Sequence, residues 1–193
     1  MNRITSLERK TAETDIKLSL NIDGTGKSEI STGVGFFDHM LTALSKHSKM
    51  DISLTCKGDL HIDDHHTVED CSIVLGQAFD TALGDKRGIT RFASAYAPLD
   101  EAVARAVIDL SGRPYCVTAL QLENSLIGDV QSQNLEHAIE SFALNAKITV
   151  HVEVLYGSND HHKAEAAFKA LAIAIKNAVS ITGSDIPSTK GVI

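Results

Sequence analysis

The stretch Asp63-Asp64-His65-His66-Thr67-Val68-Glu69-Asp70 reappears later in the chain as Asn159-Asp160-His161-His162-Lys163-Ala164-Glu165-Ala166. Each copy sets two adjacent histidines at a helix start and a glutamate four residues after the first of them. Residues four apart share a helix face, so His65 meets Glu69 and His161 meets Glu165, while His66 and His162 turn about 100° away. Other landmarks keep the same register. Glu13 lies 11 residues before Gly24, and Glu101 lies 11 before Gly112. His39 precedes the first histidine pair by 26 residues, and His137 precedes the second by 24. Two copies of so long a unit read as an internal duplication with a pseudo-twofold axis, not as a solenoid.

The hydrophobic pattern extends the repeat in both directions. Ile16, Leu18, Leu20 and Ile22 alternate with polar residues, as do Ile52, Leu54 and Cys56, which is the period of half-buried strands; Leu60 and Ile62 read as a further short strand. Phe36, Phe37, Met40, Leu41 and Leu44 recur at helical spacing, as do Val68, Cys71, Val74, Leu75, Ala78 and Phe79 before Gly84. The second half follows with strands at 102–110 and 115–122, a helix through Leu135 and Phe142, a strand through Ile148 and Val154, and a helix from Ala164 to Val179. The pattern predicts an α+β fold of two similar halves, residues 1–90 and 91–193, each a mostly antiparallel sheet with helices packed on one face.

Composition narrows the class. No apolar run approaches the ~20 residues of a membrane helix, and the N-terminal Met1–Lys10 segment carries charges with no hydrophobic stretch behind them. A net charge of −7 gives no broad electrostatic footprint for nucleic acid or acidic lipid. Cys56, Cys71 and Cys116 form neither an even disulfide set nor a CxxC pair, and read as small apolar residues. These features predict a cytoplasmic protein with no membrane or nucleic-acid partner.

Imidazoles with carboxylates and no thiolate suit Mn, Fe, Co, Ni or Zn. The duplication suggests that each ion takes the helix-face pair from one half and an off-face histidine from the other. One site is then His65, Glu69, His137 and His162, and its mate His161, Glu165, His39 and His66. Four protein ligands on an octahedral ion leave two positions for substrate. The ligands can also come from different subunits. Two rival classes use the same residues: a di-metal hydrolase, and an assembly protein whose ions join subunits.

The strings GFFDHM (35–40), GDLHIDDHHTVED (58–70), SGRPY (111–115), NDHHKAEAAFKA (159–170) and IPSTKGV (186–192) resemble the imidazoleglycerol-phosphate dehydratase family, in order and over nearly the whole chain. The length resembles the monofunctional form. The resemblance implies a hydro-lyase of histidine biosynthesis that converts imidazoleglycerol phosphate to imidazole-acetol phosphate. It implies two Mn2+ ions per active site, and a homo-24-mer built from trimers with active sites shared between subunits. The small phosphorylated imidazole substrate is expected to react through a metal-bound imidazolate and a diazafulvene-like intermediate. Glu165 is the first candidate for proton transfer as well as ligation. Glu13 and His47 follow, as matches to family positions lining the substrate site. Arg91, Arg113, Lys169 and Lys190, with Ser188 and Thr189, match the family's phosphate-binding segments. Two positions depart from the family pattern: Ala43 stands where many members carry a substrate-facing glutamine, and Thr189 replaces a serine. Asp63 and Asp64 are expected to orient ligand histidines through their ring nitrogens, and Asp70 either does the same or is solvated. His61 and His151 read as outward strand positions.

Overall fold

The computed structural model describes residues 3–193. The chain runs twice through one series of elements. The first pass is β1 (Ile4–Lys10), β2 (Thr14–Asn21), β3 (Ser28–Ser31), α1 (Gly35–Ser48), β4 (Asp51–Gly58) and α2 (His65–Leu83). The second is β5 (Phe92–Leu99), β6 (Ala102–Asp109), β7 (Tyr115–Ala119), a small hairpin of β8 (Leu126–Ile127) and β9 (Val130–Gln131), α3 (Ser132–Asn145), β10 (Thr149–Tyr156) and α4 (Asp160–Ala178).

Each pass makes a four-stranded sheet, ordered β1-β2-β4-β3 and β5-β6-β10-β7. Two of the three pairings in each sheet are antiparallel and the last, β3 on β4 or β7 on β10, is parallel. Both sheets keep one face against helices and leave the other to solvent, so their central strands alternate buried and exposed residues. Helix α2 lies on β1 and β2, and α4 lies on β5 and β6. The helices then cross the repeat, α1 packing on α4 and α2 on α3. Ile16, Leu54, Phe37, Phe79, Ile108, Phe142, Val150 and Leu171 thus belong to one core that both halves share.

Local composition sets the spacing of these layers. Ala104 and Ala106 on β6 and Ala164, Ala167 and Ala174 on α4 are all fully buried, so helix and sheet approach with little side chain between them. At the α2–α3 crossing a Cβ on Gly76 would meet the Phe142 carbonyl oxygen at 2.6 Å, which only glycine avoids.

Several elements differ from the pattern-based expectation. Leu60 and Ile62 are not a strand: the Ile62 amide donates to the Asp59 carbonyl at 2.8 Å, and both side chains, with His61, lie on an exposed turn. β1, β3, β5 and the β8–β9 hairpin had no clear alternation, being edge strands or short pieces with charged or small residues.

The hairpin has a structural use. The N-cap of α1 is Val34, which offers no side-chain acceptor. The Asp129 carboxylate, 93 or more residues away, takes the Gly35 amide at 2.5 Å and the Phe36 amide at 2.8 Å. Burial works to raise the Asp129 carboxyl, but these two amides outweigh it and hold it below its ordinary value. A carboxyl depressed in the folded state stabilises above its unfolded pKa and loses that contribution as pH falls through the folded value. Asp129→Ala should therefore cost about 1 kcal/mol, the usual worth of a cap, in urea unfolding at neutral pH. The gap to wild type should close at pH values well below about 3.9. An unchanged gap at acid pH would show that the cost has another source.

Candidate metal centre

The two repeated motifs open α2 and α4, and matching side chains start both helices. Asp63 Oδ1 accepts the His65 amide at 2.9 Å; Asn159 Oδ1 accepts the amides of His161 at 2.9 Å and His162 at 3.3 Å. The next residue ties each helix start to the segment between β7 and α3. Asp64 accepts the Gln131 amide at 3.0 Å, and Asp160 accepts the Asn124 amide at 2.7 Å. Asp63 and Asp64 thus hold backbone rather than imidazole rings, which corrects the expectation that they orient ligand histidines. Asp70 is buried, taking the Thr14 hydroxyl at 2.5 Å and pairing with Arg9, so it fastens α2 to β1 and β2.

The helix-face pairs meet the lone histidines across the repeat. His65 and Glu69 of α2 converge with His137 of α3, and His161 and Glu165 of α4 converge with His39 of α1; in each trio the donor atoms lie within 4.8 Å of one another. His137 Nε2 is 3.1 Å from Glu69 Oε1, and His65 Nε2 is 3.8 Å from Glu69 Oε2. In the second trio Glu165 Oε2 lies 3.0 Å from His39 Nε2 and 3.2 Å from His161 Nε2. The His65 and His137 rings stack 5.0 Å apart. Two imidazoles and a carboxylate at this separation are a donor set that fits a borderline divalent ion.

The off-face histidines are not part of these trios. His66 Nδ1 lies 3.0 Å from Asp59, with Glu13 3.7 Å from its Nε2. His162 Nδ1 lies 2.7 Å from Glu101. Glu13 and Glu101, which mark the repeat in the sequence, occupy matching places beside matching histidines. The expected groupings of four donors therefore bring three together within one chain and leave the fourth apart, on a carboxylate. A carboxylate on Nδ1 fixes the tautomer that frees Nε2 as a donor. His162 in turn holds Glu101 ionised, with amide donors helping, at a pKa of about 2.

Around Glu165 the charges are tightly balanced. Burial pushes its carboxyl up, but Lys169 Nζ at 2.6 Å and His39 prevail and lower its pKa to about 2. This keeps Glu165 an anion, as a ligand must be, and makes it a poor proton donor near neutral pH. His47 sits farther along α1, and burial, then the Lys169 charge, lowers its pKa and favours the neutral ring. Ala43 is buried on the same helix between His39 and His47.

The phosphate candidates are split. Lys169 lies against Glu165. Arg91 lies at the other end of α4: its amide donates to the Ala178 carbonyl at 2.9 Å. From His161 to Ala178 the helix runs about 25 Å. The Arg91 guanidinium grips Asp109 (Nε to Oδ1 2.8 Å) and the Pro187 carbonyl (2.8 Å), which pins the tail carrying Ser188, Thr189 and Lys190. Arg113 is exposed nearby, 4.0 Å from Asp109.

Asn134, Asp59 and Glu101 are site residues that sequence reasoning passed over. Asn134 Oδ1 lies 3.1 Å from His65 Nδ1. A signal existed only for Glu101, through its register with Glu13; Asn134 and Asp59 reach their histidines through the fold.

Two histidine–carboxylate trios related by an internal duplication, on a sheet–helix–sheet frame, make the scaffold of an enzyme with two candidate metal sites. The family model described as imidazoleglycerol-phosphate dehydratase matches residues 32–175. A Zymomonas mobilis imidazoleglycerol-phosphate dehydratase is 56% identical over 99% of both chains, and one from Methanothermobacter thermautotrophicus is 54% identical over 95% of this chain and 94% of its own. Crystal structures of the dehydratase from Staphylococcus aureus (35% identity, TM-score 0.83, 94% and 99% coverage) and Pyrococcus furiosus (33%, TM-score 0.84, 97% and 100%) share the fold. The chain belongs to the imidazoleglycerol-phosphate dehydratase family, hydro-lyases of histidine biosynthesis.

Asn134→Ala removes the acceptor that orients His65. Titration of chelator-stripped protein with Co2+, followed by its visible spectrum, should show one class of ion bound at least about ten-fold more weakly and the other unchanged. Equal affinity for both would mean that Asn134 does not set the His65 ring.

Proposed function

We propose that the chain dehydrates imidazoleglycerol phosphate at a centre holding two Mn2+ ions, in the cytoplasm. The observation that carries this reading is the pair of duplicated trios. His65, Glu69 and His137 hold one ion and His161, Glu165 and His39 the other, with His66 and His162 completing sites across a subunit boundary. A bridged di-metal hydrolase holds its ions about 3.5–4 Å apart on shared carboxylates, and these trios share no residue.

Held by these trios, the ions would supply Lewis acidity that favours the ionised substrate imidazole, from which the side-chain hydroxyl can depart with a proton as water. The remaining work falls to side chains. Glu165, held ionised, ligates and can accept a proton at its carboxylate. Glu13 stands beside His66 with no lysine or arginine pairing it among the described residues, placed to take a proton from substrate carbon. His47, favoured neutral, is a further acceptor. Arg91, Arg113, Lys169, Ser188, Thr189 and Lys190 bind the phosphate.

Distance supports a shared site. An imidazole and a phosphate joined by three carbons cannot bridge the length of α4, so one chain's phosphate end must serve another chain's metal end. An assembly such as the 24-mer of trimers satisfies this. The exposed Phe92, Tyr96, Val107, Tyr115 and Val117 on the second sheet's outer face add apolar surface for association.

Chelator-stripped protein should lack turnover and regain it with Mn2+, releasing keto product and no inorganic phosphate; free phosphate would favour a hydrolase, and no product with metal bound an assembly protein. Glu165→Gln should lower turnover by at least about 100-fold with the circular dichroism spectrum unchanged; near-wild-type turnover would remove it from the chemistry. Glu165→Gln and Lys190→Ala chains, each impaired alone, should regain activity when refolded together. No recovery would place the whole site in one chain.

A further inference from the structure

Lys86 sits in the loop after α2, is 6% exposed, and holds a left-handed backbone (φ 59°). Among the described residues no carboxylate lies within 4.0 Å of its ammonium, and it makes no hydrogen bond. The acids nearest in charge are already engaged, Asp80 with Lys147 at 2.7 Å and Asp109 with Arg91 at 2.8 Å. Lys163 shows how this fold treats a lysine buried for structure: its ammonium donates to the Gln121 carbonyl at 2.8 Å and to Asp160 at 3.1 Å. The Lys86 stem is buried while its unpaired ammonium keeps access to solvent, and burial, the largest influence, pushes the ammonium down from its ordinary value.

The Lys86 ammonium points at the Gly112 turn. A Cβ built on Gly112 would lie 3.6 Å from Nζ, and the glycine itself has a left-handed φ of 73°. Arg113 follows that turn, and the end of the tail pinned by Arg91 passes over it, with the Ile193 backbone 3.5 Å from the same Cβ position.

We propose that Lys86 is an anion-binding residue that receives the phosphate dianion of a phosphomonoester at the Gly112–Arg113 turn. This rests on the reading of the Arg91–Arg113 end as the phosphate end, and adds to it a cation that no motif marked. The buried stem holds the ammonium unpaired at the turn, where a bound phosphate supplies its counter-charge.

Thermal unfolding of the full assembly in a phosphate-free buffer, with and without inorganic phosphate, tests this. Lys86→Met should unfold at the same or a higher temperature than wild type without phosphate, and should lose the rise that phosphate gives wild type. Its KM for imidazoleglycerol phosphate should increase about ten-fold or more, as for loss of a charge-assisted bond, with kcat within two-fold. Lys86→Arg should keep the phosphate response. A Met variant that is less stable without phosphate yet responds normally would make Lys86 a structural residue and overturn the proposal. A wild type that does not respond to phosphate would remove the phosphate end itself and Lys86 with it. Should the Met variant fail to fold, a crystal structure of wild type with phosphate decides. An anion about 3 Å from Nζ supports the assignment; one bound to Arg91 and Arg113 and out of reach of Lys86 overturns it.

Discussion

The exchange of helix partners between the two halves is the constraint on which the site depends. Each half contains a helix-face pair, His65–Glu69 or His161–Glu165, and a lone histidine, His39 or His137, yet neither assembles its own trio. The trios exist because α1 packs on α4 and α2 on α3. Gly76 admits the second crossing, and Asp129 and Asp64 tie the helix starts to the opposite pass of the chain. An error at these crossings would separate donors from different halves while leaving each sheet intact. The core and the site therefore rest on the same contacts.

The duplication extends to the charges around the histidines. Each off-face histidine has a carboxylate on Nδ1, Asp59 for His66 and Glu101 for His162, and each has a glutamate from the preceding β-hairpin beside it, Glu13 or Glu101. Crowding six histidines with so many acids is tolerable only because nearly every imidazole has a defined acceptor. Lys169 breaks the symmetry. It neutralises Glu165 from one helical turn away, whereas the matching position four residues after Glu69 is Ile73, which carries no charge. The two trios have the same donors but different electrostatic surroundings, and the second alone carries a lysine within reach of its carboxylate.

Much of this was legible in the sequence because it is written in local periods. The stripes of α1 to α4 and the alternation of β2, β4, β6 and β10 are properties of residues buried on one side. The spacing of Glu13, His39, His65 and their repeats marked nearly every side chain at the centre. Edge strands β1, β3, β5 and β7 escape or blur such reading because pairing on one side only demands less of their side chains. The parallel attachment of β3 and β7 has no local signature at all. Asp63 and Asp64 look like imidazole partners by adjacency, but a helix start needs acceptors for its free amides, and that need determined where they turned. Asn134 and Asp59 reach the histidines through tertiary packing, which no spacing encodes.

The two ends of α4 carry different parts of the proposed site. Its N-terminal turn carries His161 and Glu165, and its last carbonyls receive the backbone of Arg91, about 25 Å away. Helix length is rigid on the scale of a small substrate, so no side-chain rearrangement within one chain brings Arg91 and Arg113 to the trios. Each end is internally balanced: His162 sits on Glu101 and Arg91 on Asp109, which keeps costly charges paired. Lys86, which has no such partner, is the exception. A fold that satisfies its other buried cations, Lys163 with Asp160 and Arg3 with Asp23 and the Val179 carbonyl, leaves one ammonium open beside a glycine turn. That ammonium reaches solvent on a buried stem, and a phosphate bound at the turn would supply the missing counter-charge.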